Sequence, residues 1–364
     1  MFRKLFFTFF LYSIFSFGQE PISNFSLDSN YFYGSILQHN KDISHLIKGH
    51  PEGLILGYSR KTYGENDWEQ AFNYPDYGYS LLFQDSNYNV LGNALGLYGH
   101  YNFYFLKRNI MLRLATGISY MTNPYDEDTN FKNNAYGSAL SGSSYIMLNY
   151  TKRNIFKGFG IQAGLTLVHY SNASFKSPNS STNSITANLG MTYEIDTDTP
   201  RNYTKKDSLP KITEPIHFNL VLRGGINESD YIGLGQRPFW IVSAYADKRL
   251  GRKSSIQLGA EYFNSKFLET QIDYEAVAFP SSNSTGEEDY RRVGVFVGHE
   301  LHINKLSLLT QVGYYAYYPY KFEGRVYLRL GLKYYFTKNI FGAITLKTHA
   351  AKAEAVEFGV GIRI

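Results

Sequence analysis

The stretch HYSNASFKSPN, residues 169–179, brings together side chains that can do acyl chemistry. His169 and Ser171 stand two apart, and in an extended strand residues i and i+2 share one face. An imidazole beside a hydroxyl can take its proton as the oxygen attacks a carbonyl carbon, the minimum for a nucleophilic hydrolase. A third polar group is needed to hold the ring in one tautomer. The competing reading is a polar loop entrance whose histidine lies among interfacial tyrosines. The face on which the pair stands separates the two, and that depends on the surrounding strands.

Alternation identifies those strands. In RVYLRLGLKYYF, Val326, Leu328, Leu330, Leu332, Tyr334 and Phe336 share one face, while Arg329 and Lys333 share the other. IMLRLATGISY sets Leu112 and Leu114 against Arg113 in the same way. Period two means strands. The 33 Tyr, 27 Phe and 32 Gly among 364 residues add the aromatic belts of an all-β, antiparallel transmembrane β-barrel, with a water-soluble sandwich as the competitor. The net charge of +5 is small and scattered, which argues against a nucleic-acid partner. Cysteine is absent, so disulfides and thiolate metal sites are excluded. Residues 1–18, with Arg3 and Lys4 before an apolar run and Ser16 and Gly18 before the cut, have the layout of a secretory signal peptide. No later apolar run has membrane-helix length.

Turn-rich segments divide the rest into strands near 30–39, 52–61, 77–86, 92–107, 110–121, 138–151, 157–171 and 184–195. A second set lies near 216–226, 238–250, 254–267, 290–303, 305–318, 324–336, 340–349 and 354–364. The two sets answer each other: YTKRNIFKGFGIQAGLTLVH (150–169) matches FTKNIFGAITLKTH (336–349), and Gly99-His100 matches Gly298-His299. An internal duplication of an eight-strand unit follows. The expected organisation is a first half over 19–196, a polar connection over 197–214 and a second half over 215–364. One closed barrel of about 16 strands removes every edge with a single seam and is preferred. Two eight-stranded barrels or a 14-stranded barrel are the alternatives.

In FGIQAGLTLVHYSN the odd positions Ile161, Ala163, Leu165 and Leu167 are apolar, and His169 and Ser171 continue their face. The pair therefore projects outward, toward lipid. With a periplasmic N-terminus, the end of this seventh strand is extracellular. Polar side chains on a lipid face are expensive unless they are interfacial or functional.

HYSNASFKSPN and the barrel pattern, over roughly residues 30–196, resemble the outer-membrane lipid A 3-O-deacylases of PagL type, a group that includes the acyloxyacyl hydrolases of Bacteroidetes-type sequences. The resemblance implies an eight-stranded barrel with a His-Ser-Glu triad on its outer surface. It makes Ser171 the nucleophile, His169 its base and Asn179 an oxyanion ligand, with the main-chain amide near Ser174 as second donor and Asn172 in support. The family usually has Gly at the position of Ser174. Its Glu falls on Asn183, which stands on the apolar face of strand eight beside His169. Glu194 has the other parity and cannot substitute. The implied substrate is an acyl ester of lipid A or a related glycolipid, without cofactor or metal. The implied partners are lipopolysaccharide, outer-membrane lipid and the barrel assembly machinery. The contrasting reading, favoured by the missing Glu, is a non-catalytic outer-membrane barrel, lipopolysaccharide-binding or pore-like.

The second half keeps His349 but has Ala351 where a serine would be needed. Lys347, His349, Glu357 and Arg363 fall on the lumen side and read as a paired-charge network. WEQAFNYPDYGYS (68–80) is expected near an extracellular loop. NPYDEDTN (123–130) is acidic but lacks the spacing of a calcium loop.

Overall fold

The computed structural model describes residues 24–195, 202–204, 212–280, 284–350 and 352–364. The expected signal peptide, most of the 197–214 connection and Ala351 lie outside the described residues. No described helix is long and apolar enough to cross a membrane.

The first eight strands are β1 (Phe25–Ile36), β2 (Glu52–Arg60), β3 (Asp76–Asp85), β4 (Asn93–Phe105), β5 (Ile110–Met121), β6 (Leu140–Phe156), β7 (Phe159–Ser171) and β8 (Thr182–Glu194). The next eight are β9 (Ile216–Asn227), β10 (Arg237–Arg249), β11 (Ser254–Ser265), β12 (Arg292–Ile303), β13 (Leu306–Tyr317), β14 (Val326–Tyr335), β15 (Ile340–His349) and β16 (Lys352–Arg363). Among the described residues two α-helices accompany them, α1 (Asp67–Ala71) and α2 (Lys266–Ala278). In α2, Phe267 and Gln271, and Leu268 and Ile272, are buried at helical i, i+4 spacing. The strand expected over 254–267 therefore ends at Ser265, where this helical spacing begins.

The expectation of a single large barrel is overturned. β1 pairs with β8 from Ser26↔Glu194 to Ile36↔Ser184, and β9 pairs with β16 from Phe358↔Gly224 to Arg363↔Asn219. The chain therefore closes twice, into two antiparallel eight-stranded barrels. Two closures leave no more free edges than one. What favours them is the filling: eight strands enclose a lumen just wide enough for side chains, whereas sixteen leave a channel.

The lumen side chains fit the small radius. In the first barrel, Arg113 meets Asp28 at 2.6 Å and Asn102 Oδ1 at 2.7 Å, and the Tyr98 and Tyr145 rings lie 5.0 Å apart. The cavity beside Asp28, Arg113 and Arg153 has a volume of about 10 Å³, room for about one water. In the second barrel, Arg329 binds both Glu357 and Glu261 at 2.6 Å, and Lys333 meets Glu300 at 3.1 Å. Glu354 collects Arg292 at 2.5 Å, Lys347 at 2.8 Å and His349 at 2.7 Å. The inward charges are thus paired and packed, in keeping with the paired-charge network expected around Lys347, His349, Glu357 and Arg363. Outward, Leu114, Leu328 and Leu330 are exposed, as the alternation requires.

The duplication is visible in the wall. β7 and β15 are each the seventh strand of their barrel, and β4 and β12, which carry the Gly-His pairs, are each the fourth. The match is not residue for residue, because Phe156 ends β6 whereas Phe341 lies on β15.

The barrels touch at both ends. At the end with the short turns 106–109, 157–158 and 304–305, Arg252 after β10 binds Asp67 of α1 at 2.9 Å, and Lys253 lies over the Phe72 ring. The aromatic segment 68–80 is therefore at the short-turn end, opposite to the expected one, because β2 runs back before it. At the other end, the β7–β8 loop meets the second barrel.

Replacing Arg329 with Met leaves Glu261 and Glu357 short of a cation. We expect a loss of about 3–5 kcal/mol in the folding free energy. Urea unfolding in detergent checks it, with exposed Leu330→Ala as the mild control.

Candidate active site

β7 and β8 pair so that His169 and Asn183 are direct cross-strand partners. Direct partners share a face with Cβ atoms about 5 Å apart, close enough for a side-chain bond. His169 Nδ1 lies 2.8 Å from Asn183 Oδ1. An amide oxygen there can only accept, so Nδ1 carries the proton and Nε2 keeps its lone pair. On the other flank, β6 places Ser144 opposite His169 and Gly142 opposite Ser171. The wall thus carries a polar row, Ser144–His169–Asn183, on the same outer face as exposed Leu165, Leu167 and Ile185. Val168 and Tyr170, of opposite parity, are fully buried inside.

Ser171 ends the strand and is 8 % exposed. Its hydroxyl donates to Asn179 Oδ1 at 3.2 Å and accepts from the Ala173 amide at 3.0 Å. Among the described residues no hydrogen bond joins Ser171 to His169. The following loop is closed on itself. Asn172 donates Nδ2 to the Lys176 carbonyl at 2.6 Å and its main-chain N–H to Asn179 Oδ1 at 3.0 Å, and its carbonyl accepts from Phe175 N at 3.1 Å.

Ala173 and Ser174 both lie in the left-handed region, with φ of 53° and 61°. Glycine occupies that region without a Cβ penalty, so the Gly that the resemblance implies at the second of these positions would fit there. Here Ser174 holds the conformation with its hydroxyl bound to the Ala353 carbonyl of the second barrel at 2.8 Å.

The structure brings His169 and Asn183 into contact, and Ser171, Asn172 and Asn179 into contact. Asn179 presents Oδ1 to Ser171, so an oxyanion role would fall to its Nδ2. Glu194 is at the far end of β8, held by Lys61 at 2.8 Å. His349, also at the end of the seventh strand of its barrel, lies in the second lumen on Glu354. Asp126 accepts from the Thr129 hydroxyl at 2.7 Å and its amide at 2.8 Å, which holds its carboxyl below the usual range. Among the described residues no group of His, Cys, Asp and Glu is arranged to hold a metal. Sequence parity missed Gly142 and Ser144, which only the strand register brings beside the pair.

His169 and Asn183 thus stand together on the outer face of the barrel wall, and Ser171, 8 % exposed, ends the same strand as His169. Residues 52–192 match the family described as lipid A 3-O-deacylase (PagL), and residues 216–364 match the acyloxyacyl hydrolase C-terminal domain. The chain belongs to this family, which points to the outer membrane. No curated protein matches the chain in sequence. Similar solved structures include a doubly and a triply substituted variant of the Rhodopseudomonas blastica porin. Each is 10% identical, covers 93% of this chain and 99% of the porin, and has a TM-score of 0.20. At that score the likeness carries no argument.

A Cβ at Gly142 would meet only the Ser171 carbonyl oxygen, at 3.3 Å. Gly142→Leu should therefore fold while filling the outer wall beside Ser171. We expect labelling of Ser171 by a long-chain phosphonate to slow about 10–100-fold, with compact electrophoretic migration unchanged.

Proposed function

We propose that the protein hydrolyses an acyl ester of lipid A or a related glycolipid from the membrane-facing wall of its first barrel. The observation that carries this reading is the His169–Asn183 bond at 2.8 Å on the outer face, two residues from Ser171. Loops 37–51, 122–139 and 172–181 share the end that holds the site, and 61–75 is the long connection of the first barrel at the other end, where the remaining connections 106–109 and 157–158 are short turns. Outer-membrane barrels put short turns in the periplasm and longer loops outside. The site then stands at the outer leaflet, where the bilayer itself orients the glycolipid.

In this reading the Ser171 hydroxyl turns from Asn179 to His169 Nε2. As Oγ bonds to the ester carbonyl carbon, His169 takes its proton. Asn179 Nδ2 and the main-chain amide near Ser174 face the developing oxyanion. Collapse breaks the ester C–O bond, and the leaving sugar hydroxyl takes the proton back from His169. Water, deprotonated by His169, then releases the fatty acid and restores Ser171. Asn183 fixes the tautomer but gives the imidazolium no charge partner. In serine triads the carboxylate-to-amide change lowers turnover by about 10⁴.

One observation favours a non-catalytic, lipid-binding barrel: the Ser171 hydroxyl is bonded to Asn179 and not to His169. Fatty-acid release from glycolipid vesicles by the purified protein separates the readings. Wild type should release fatty acid, Ser171→Ala should release none while remaining folded, and Asn183→Glu should raise the rate by up to about 10⁴-fold. Equal release by wild type and Ser171→Ala would remove Ser171 from the chemistry. No release from wild type or from Asn183→Glu would leave the binding barrel.

A further inference from the structure

The site loop, 172–181, belongs to the first barrel, but much of its outer side is held by the second. Glu228, in the β9–β10 loop, is largely buried and divides its carboxylate between two main-chain donors. Oε2 accepts from Ser177 N at 2.9 Å and Oε1 from Gly235 N at 3.0 Å. Its own amide donates to the Ser174 carbonyl at 2.9 Å. Gln236 Nε2 donates to the Phe175 carbonyl at 2.7 Å, and the Ser177 hydroxyl donates to the Ser229 carbonyl. From the β15–β16 hairpin, the Ala353 carbonyl accepts from Ser174 Oγ at 2.8 Å. Ser174, Phe175 and Ser177 are thus each tied across the barrel interface, between Asn172 and Asn179.

We infer that the second barrel is a positioning element for the site in the first, and that Glu228 is its principal positioning residue. The inference rests on the hydrolase reading of Ser171. The chemistry asks for this. Two left-handed residues without glycine, Ala173 and Ser174, are strained alone, and strain persists only where surroundings over-determine it. Charge-assisted bonds from a buried carboxylate to main-chain amides are among the stronger means of doing so. The residues whose donors face the oxyanion in the proposed mechanism, Ser174 and Asn179, lie on either side of the Ser177 anchor. Oxyanion stabilisation falls steeply when such donors are misplaced by an ångström. The second barrel has no Ser-His pair at the corresponding place, since His349 is committed to Glu354 inside its lumen. Its contribution to the reaction is the geometry of a loop that it does not own.

The test uses the full chain in glycolipid vesicles. Glu228→Ala removes both acceptors, whereas Glu228→Gln keeps one oxygen for one of the two amides. Compact migration of both variants on electrophoresis establishes that the barrels are closed. For Glu228→Ala we expect kcat to fall about 10–100-fold, as for a misplaced catalytic group. KM should stay within about two-fold, because only transition-state interactions are lost. Hydrogen exchange in 172–179 should quicken, and Glu228→Gln should lie between Ala and wild type on both measures. Unchanged kcat and unchanged exchange in Glu228→Ala overturn the inference, as does a fall confined to KM. If wild type releases no fatty acid, the hydrolase reading fails and exchange alone decides the clasp. Faster exchange in the Ala variant then sustains it, and equal exchange ends it.

Discussion

In hydrocarbon an unpaired main-chain amide has no water to bind, so a strand that enters a membrane must find a partner on both of its edges. Here β1 returns to β8 and β9 returns to β16, and every other feature follows from that double closure. An eight-stranded wall is narrow, and its inward positions must be filled. Arg113 with Asp28, and Arg329 with Glu261 and Glu357, fill them with charges that are neutralised in place. The cavity beside Asp28 and Arg113 in the first barrel, about 10 Å³, leaves no room for a substrate. Chemistry on such a protein has to be carried on the outside of the wall or at its rim.

The wall is well suited to one half of that task and poorly to the other. Cross-strand register places Ser144, His169 and Asn183 in one row with no freedom to shift. The residues that would receive an oxyanion must instead curl over the end of the strand, where no ladder supports them. Loop 172–181 meets this need partly through Asn172 and Asn179 and partly through the second barrel. In the proposed reading the two barrels differ in use: the first carries the Ser144–His169–Asn183 row, and the second, whose His349 binds Glu354 in its lumen, holds the loop.

Much of this could be read from residue order. Period-two alternation gives the sixteen strands, most of them to within two or three residues, and parity puts His169 and Asn183 on the outer face and Lys347, His349 and Glu357 inside, whereas Ser171 at the strand end is buried. Such features are local, and a strand's two faces are written into its sequence. β1 was set about five residues too late, because FSLDSNYFYG mixes polar residues into its start. Which strand closes on which is not written in the alternation, since closure is a long-range choice that one barrel or two satisfy equally. The bulky inward Tyr98, Tyr145, Tyr315 and Tyr327 did carry the missing information, because they fit a narrow lumen and would leave a wide one ragged. The Glu228 anchor was illegible for a different reason: nothing local to Glu228 or Ser177 records that two separately closed barrels stand side by side.

The account rests on the outward row beside Ser171 acting on an ester in the surrounding leaflet. Mass spectrometry of lipid A from cells that carry the protein, and from otherwise identical cells that lack it, tests this most directly. The account predicts a lipid A species lighter by one ester-linked acyl chain only where the protein is present. Indistinguishable lipid A profiles, with the barrel folded in the membrane, would contradict it.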